Sequence, residues 1–283
     1  MRNIGYYNGK IGPLEDMTVP MNDRALYFGD GVYDVVTLIR GKFFALEDHI
    51  DRFFHCCRQL EMPLPIPESE FRRTLGRLRD LLDPDIDHAV FYFQASRGIA
   101  PRNHPFPARI KPSLMITVKP MAAPDWDKTA VVIAQPDLRY QLCHIKTINL
   151  IPNVLASQRA REAGADEAVL HKEGRITECA HSGLAILKNG AVITAPLNRE
   201  ILPSITRKHL VELCRSQGIP LEERFLTLEE LREADEALLM STTKLLMPVT
   251  RFGDLPIGGR DPKLLARLRD LYRDYIRDHL TDA

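Results

Sequence analysis

The residues with most to offer chemically lie in Cys143-His144-Ile145-Lys146-Thr147-Ile148-Asn149-Leu150. One lysine, Lys146, stands there among mostly uncharged neighbours, just ahead of a segment with helical character. A desolvated lysine amine is a nucleophile toward carbonyl groups and forms Schiff bases with them. The plain alternative is a lysine at the end of a strand with its ammonium in water.

Other groups are suited to an anion. Ser204-Ile205-Thr206 opens a predicted helix, where unpaired backbone N–H groups and the helix dipole attract negative charge. Ser241-Thr242-Thr243 follows a predicted strand and offers hydroxyls and amides. Arg52, early on a predicted helix, supplies a fixed positive charge. Read singly, these are an ordinary helix cap, a turn and a solvated arginine. Glu178 follows a strand in Ile176-Thr177-Glu178-Cys179-Ala180-His181-Ser182-Gly183. A carboxylate among small uncharged residues can hold a proton on a heterocyclic nitrogen; its plain alternative is a turn residue in water.

Periodicity places these residues on elements. Tyr6 to Ile11 reads as a hairpin turning on Asn8-Gly9. Gly29 and Gly31, one residue apart, mark backbone that is tight or closely approached. Val32 to Ile39 and Phe43 to Leu46 read as strands. Helical spacing runs over 47–61 and 69–82, the arginines of the second helix facing water. Strands follow at 89–95 and 113–118, separated by a proline-rich loop, 97–107, of the kind that often carries function. The second half predicts a strand at 130–134 and a helix from Ile151 to Ala163. Hairpins are predicted at 167–177 and, on Asn189-Gly190, at 185–195. A helix from Pro203 to Gln217, a strand at 220–225 and a short helix at 228–232 come next. Strands at 237–241 and 247–252 and a closing amphipathic helix over 262–279 complete the chain. Strands and helices alternate, yet hairpins abound, so the sheets should be mixed or antiparallel: an α/β (α+β) protein. The proline-bearing stretch 120–127 is read as a linker between an N-terminal domain, 1–119, and a C-terminal one, 128–283. A ligand site between them is the default expectation.

With 283 residues, 38 Lys+Arg against 38 Asp+Glu and 45% hydrophobic residues, the composition is that of an ordinary soluble protein. Zero net charge removes the general electrostatic case for nucleic acid or an anionic membrane. No apolar run reaches the length of a membrane span, and the N-terminus lacks the apolar core of a secretory signal. Five cysteines, with no CxxC pair and no Cys/His metal spacing, read as reduced thiols in a cytoplasmic protein, with no metal expected. His49 and His55 are wrongly spaced for a metal pair on a helix.

In combination the motifs identify a family. Asp30-Gly31-Val32-Tyr33, His49-Ile50-Asp51-Arg52, Arg97-Gly98 with Pro101-Arg102-Asn103-His104, Ile145 to Leu150, Thr177-Glu178, Ile201 to Arg207 and Ser241-Thr242-Thr243 resemble the class-IV pyridoxal-phosphate aminotransferases. Order and spacing match from Tyr6 to Phe252. Within the class, Tyr33 and the Arg102-Asn103-His104 loop are most similar to the D-amino-acid aminotransferases.

The resemblance implies a two-domain, fold-type IV architecture with the active site between the domains and pyridoxal 5′-phosphate as cofactor. Lys146 would carry the cofactor as a Schiff base and shuttle the substrate proton. Glu178 would pair with the pyridinium nitrogen. Arg52, Ile205, Thr206 and Thr242 would hold the phosphate, with Ser241 nearby, and Leu202 would back the ring. Tyr33, with Arg102 and His104 from the neighbouring subunit of a homodimer, would grip the substrate carboxylate, and Tyr92 would stand near. The implied reaction moves the amino group of a D-amino acid to a 2-oxo acid by ping-pong kinetics. A branched-chain L-aminotransferase, an (R)-amine transaminase and aminodeoxychorismate lyase are the alternatives within the class. A catalytically silent cofactor-binding protein is the alternative outside it. One departure stands out: where the family often ends a run of small residues in Asn, this chain has Cys179-Ala180-His181-Ser182-Gly183. Gly183 has no amide side chain to offer, and His181 is expected to pack rather than to compensate.

Overall fold

The computed structural model of the protein describes residues 1–283. The first elements are β1 (Ile4–Tyr7), β2 (Lys10–Pro13), α1 (Arg24–Phe28), β3 (Gly31–Ile39), β4 (Lys42–Phe44), α2 (Leu46–Gln59), α3 (Glu68–Asp80), β5 (Ala89–Ser96) and β6 (Ser113–Pro120). Then come β7 (Ala130–Pro136), α4 (Ile151–Glu162), β8 (Glu167–Lys172), β9 (Arg175–Cys179), β10 (Gly183–Lys188), β11 (Ala191–Thr194) and α5 (Ile205–Ser216). The rest are β12 (Leu221–Glu223), β13 (Leu226–Thr227), α6 (Leu228–Arg232), β14 (Glu236–Ser241), β15 (Leu245–Phe252), β16 (Leu255–Pro256), α7 (Pro262–Asp278) and β17 (Leu280–Thr281).

Contacts divide the chain into two units. One holds residues 1–123, 145–149 and 279–283; the other holds 124–144 and 150–278. The first unit is built on an antiparallel sheet ordered β17-β4-β3-β5-β6-β1-β2. Burial alternates along its central strands. Phe91 and Phe93 of β5 lie in the core, whereas Tyr92 and Gln94, pointing the other way, are only half-buried. The two phenylalanines pack edge-on with Phe43, Phe53 and Phe71 at ring distances of 4.9–5.0 Å, which seats α2 and α3 on that face. Each such ring contributes about 1.5–3 kcal/mol by leaving water.

The lysine segment completes this sheet locally. β5 pairs with β3 along its whole length, but β4 pairs only with Leu38 and Ile39. Beside the other end of β3 runs the segment 145–149. Tyr33 N donates to Lys146 O at 2.9 Å, Ile148 N to Gly31 O at 3.2 Å, and Val32 bridges Thr147.

The second unit carries a mixed 10-stranded sheet along the path β12-β11-β10-β14-β15-β7-β8-β9-β13, with β16 added to β15. This sheet must curl. In its order, four strands separate β9 from β10, yet the chain passes from Cys179 to Gly183 directly. Five inter-strand steps laid flat would span about 24 Å, while that connection reaches at most about 14 Å. The segment 221–227 says the same, since β12 lies on one edge of the sheet and β13 on the other.

Both Asn-Gly hairpins form, with positive φ at Asn8, Gly9, Asn189 and Gly190 as tight turns of this hand require. Three local readings change. The tight stretch around Gly29 contains a short helix, α1, capped by Asp23 through Ala25 N at 2.9 Å and closed by Gly29 in the left-handed region. Five residues are too few to show a helical period. β4 ends at Phe44 because Ala45 turns left-handed to start α2. The single strand read over 220–225 is two short ones, because the chain there crosses from one sheet edge to the other. No helix is long and apolar enough to cross a membrane.

Gly29 is the position where added bulk should matter most to the lysine segment. Its φ is +61°, and a β-carbon there would lie 2.6 Å from Asn149 Oδ1, on the side chain that anchors the segment by donating to Gly29 O at 2.9 Å. Gly29→Ala should cost about 1–3 kcal/mol of stability, measured by urea denaturation.

Candidate active site

In the first unit, α2 and β3 together set the surroundings of Lys146. The backbone of Lys146 is held on both sides, by Tyr33 N on its carbonyl and by Cys56 Sγ, 3.4 Å from its amide nitrogen. Its Nζ forms no salt bridge and lies 4.4 Å from the centre of the Tyr33 ring. Tyr33 in turn stacks on Tyr92 at 5.4 Å, and Tyr92 Oη donates to Gln94 Oε1 at 2.7 Å. Burial, and then the neighbouring Tyr33, push the Tyr92 phenol well up, so it remains a neutral donor. Lys146, Tyr33 and Tyr92 therefore form one group on the sheet face opposite the phenylalanine core.

On the other face of β3 the side chain of Asp34 points into the protein with no exposure. Arg52 grips it as a fork, Nε to Oδ2 at 2.7 Å and a terminal nitrogen to Oδ1 at 2.7 Å, and His49 Nδ1 lies 2.8 Å from Oδ1. Burial alone would raise the Asp34 pKa, but Arg52 and then His49 outweigh it and hold the carboxylate far below its usual range. Burial dominates at His49 and lowers its pKa. Arg52 is thus no solvated helix arginine; its plane is fixed from below.

Arg102 and His104 lie on the exposed loop after β5. That loop is fastened from underneath. Arg24 donates to the carbonyls of Asn103 and His104 at 2.5 and 3.2 Å, and Arg97 lies 3.6 Å from the centre of the Phe106 ring. Asp30 binds Arg24 Nε at 2.7 Å and Arg97 Nε at 2.9 Å, which joins the two anchors. The Arg102 and His104 side chains stay outside, against the Phe28 ring.

In the second unit Glu178 ends in a fixed carboxylate. Arg139 donates to Oε1, and Leu202 N donates to Oε2 at 3.0 Å. Arg139 is itself clamped by Asp137, Nε to Oδ1 at 2.9 Å and Nη2 to Oδ2 at 2.8 Å, and Thr177 Oγ1 donates to Asp137 at 2.6 Å. Burial opposes charge on both partners, yet their mutual bonds lower the Asp137 pKa and raise that of Arg139. Ser204 caps α5 by accepting from Arg207 N at 3.2 Å. Ile205 and Thr206 form the first turn, where amides have no acceptor within the helix. Ser241 and Thr242 begin the turn between β14 and β15, and Lys244 N donates back to Ser241 Oγ at 3.1 Å.

A sequence model of the family Amino-transferase class IV matches residues 31–252. The chain belongs to that family. It is 35% identical over 275 residues to a D-alanine aminotransferase of Listeria monocytogenes serotype 4b, with 95% of this chain and 94% of that one covered. With a D-alanine aminotransferase of Bacillus licheniformis it shares 34% over 263 residues, 92% of each chain. The branched-chain aminotransferase of Thermoproteus uzoniensis, solved with norvaline, superposes with a TM-score of 0.86 over 98% of both chains at 20% identity. That likeness speaks for the fold: mixed α/β with two sheets, as in the fold-type IV aminotransferases.

A class-IV aminotransferase is a transferase that works with pyridoxal 5′-phosphate. The residues present suit that group. Lys146 offers an amine with no ion pair to break. Glu178 is a carboxylate held in place by a cation and an amide, able to face a protonated ring nitrogen. Ile205 and Thr206 amides, the Ser241 and Thr242 hydroxyls and Arg52 are donors of the kind a phosphate takes.

Sequence reasoning missed Asp34 and the Asp137–Arg139 clamp. Each had a signal. Asp34 is the one charge in the apolar strand Gly31–Ile39, and a buried carboxylate must find a cation. Asp137 and Arg139 flank Leu138 just past an apolar strand. His181 does not simply pack: its Nδ1 lies 3.0 Å from Glu167 Oε2.

Asp34→Asn in this aminotransferase leaves Arg52 buried without its anion and should cost about 3–5 kcal/mol near neutral pH. Because folding lowers the Asp34 pKa, its contribution is complete above the ordinary carboxylate range and fades as pH falls below it. Urea titrations should therefore show wild type and variant converging as pH drops below about 4.

Proposed function

We propose that this class-IV enzyme transfers the amino group of a D-amino acid, such as D-alanine, to a 2-oxo acid, such as 2-oxoglutarate. One observation carries the reading: the unpaired Lys146 amine, its backbone locked onto β3, beside a Tyr33–Tyr92 pair. The D preference is supported by the curated relatives named D-alanine aminotransferase and by Tyr33 together with Arg102 and His104.

When bound, pyridoxal phosphate supplies a carbonyl to the amine and a conjugated ring that takes up the electron pair released at the substrate Cα. Lys146 would hold it covalently and, once displaced by substrate, move the Cα proton. With the Lys146 backbone fixed on two sides, only its side-chain torsions have to change. Glu178, oriented by Arg139 and Leu202 N, keeps a proton on the ring nitrogen. Arg52, Ile205, Thr206, Ser241 and Thr242 bind the phosphate, and Leu202 supports the ring. Tyr33, with Arg102 and His104, binds the substrate carboxylate, Tyr92 standing beside Tyr33. That anchor decides which Cα substituent meets the lysine, and hence the handedness.

A homodimer fits the same reading. The Arg102–His104 loop presents its side chains outward from a fastened backbone. On α4, Ile151, Val154 and Leu155 are 65, 57 and 52% exposed at helical i, i+3, i+4 spacing, an apolar stripe suited to cover by a second copy. Five free cysteines agree with a reducing, cytoplasmic setting.

Cofactor-loaded protein mixed with D-alanine alone should lose its visible colour and release pyruvate; L-alanine and L-leucine should do neither. Reaction only with the L-amino acids would overturn the D assignment. Lys146→Ala should lower turnover by about 10²–10⁴-fold or more. In sedimentation velocity the wild type should run as a dimer and Val154→Glu should shift toward monomer.

A further inference from the structure

Glu167, the first residue of β8, takes no part in the chemistry above, yet its side chain has no exposure. A carboxylate taken out of water must be paired and hydrogen-bonded. Its partners come from two distant turns. Ser182 Oγ donates to Oε2 at 2.8 Å and His181 Nδ1 lies 3.0 Å from it, both from the turn that joins β9 to β10. Lys244 Nζ donates to the same Oε2 at 3.0 Å from the turn that joins β14 to β15. Oε1 accepts from Ala168 N at 3.0 Å.

The second turn has an independent need for support. Ser241 pairs with Leu245 across it, and Leu245 has φ +56°, in the left-handed region that branched side chains resist. Leu245 is also buried, so it cannot relax by turning outward. Lys244, the residue before it, is the one held by Glu167.

We infer that Glu167 is a positioning residue: it ties the turn that follows Glu178 to the turn that presents Ser241 and Thr242, and through Lys244 keeps the latter in phosphate-binding form. The inference rests on the proposed function, in which those hydroxyls hold the cofactor phosphate. It also gives His181 and Ser182 a task in a run that ends in Gly183 and so lacks an amide side chain. Both turns converge on one buried anion.

The test compares two probes, pyridoxamine 5′-phosphate and pyridoxamine, titrated calorimetrically into the full chain freed of cofactor. Glu167→Gln should raise the Kd for pyridoxamine 5′-phosphate about tenfold or more, as the loss of a charge-assisted bond implies. Its Kd for pyridoxamine should not move, because only the phosphate meets the turn. Lys244→Met should reproduce the effect and Lys244→Arg should largely restore binding; these two carry the test where Glu167→Gln does not fold. If the wild type binds neither probe, the functional reading falls and this inference with it. If the wild type binds pyridoxamine 5′-phosphate but the variants bind it equally well, or lose both probes equally, the inference alone falls.

Discussion

The Lys146 segment holds its place by acting as a short strand. β3 has one edge fully paired with β5 and another that β4 covers only at its far end, so the backbone groups of Gly31 to Tyr33 face an unfilled edge. Unpaired backbone groups at a buried edge are costly, and residues 145–149 satisfy them. Asn149 and Gly29 are joined across 120 residues, a closure that costs on the order of 4 kcal/mol. A handful of hydrogen bonds at about 1 kcal/mol each, with Ile145 buried among the first unit's core side chains, offset that cost. The amine is therefore carried by backbone geometry, and its side chain needs no partner of its own.

β3 separates two environments because successive side chains alternate. Tyr33 faces Lys146 on one side of the sheet; Asp34, the next residue, faces α2 on the other. One strand thus places an aromatic ring beside the amine and a carboxylate beneath the arginine. A shift of register by one residue would exchange them, carrying the Asp34 carboxylate away from Arg52 and His49 and toward the Lys146 face. The fork between Asp34 and Arg52 guards against such a slip, since its geometry is met in one register only.

Buried carboxylates recur as organisers of the second unit. Glu178 is set by Arg139, which is set by Asp137; Glu167 is set by Lys244, Ser182 and His181. Glu178 and Arg139 lie 39 residues apart and Glu167 and Lys244 77, yet strand pairing in the curled sheet brings each pair together. The curl is itself a consequence of connectivity: three residues, 180–182, join strands that the sheet order sets far apart. Charge pairing of this kind adds little net stability over a packed apolar core, but it rejects arrangements that leave an anion alone.

Local chemistry was written in residue types and spacing. Asn-Gly turns, the apolar periods of α2, α3 and α7 and the Ser204 cap were all legible, because turns, helical faces and caps depend on residues a few positions apart. The family motifs were legible for the same reason. The partners of Arg52, Glu178 and His181 were not, since each lies on another element and a lone charge does not name its counter-ion. Nor could spacing tell that Lys146 would sit on β3, that 221–227 would serve both edges of one sheet, or that Leu245 would be forced left-handed. Those outcomes follow from strands pairing across long stretches of chain, where burial and hydrogen-bond satisfaction in three dimensions override what neighbours in sequence prefer.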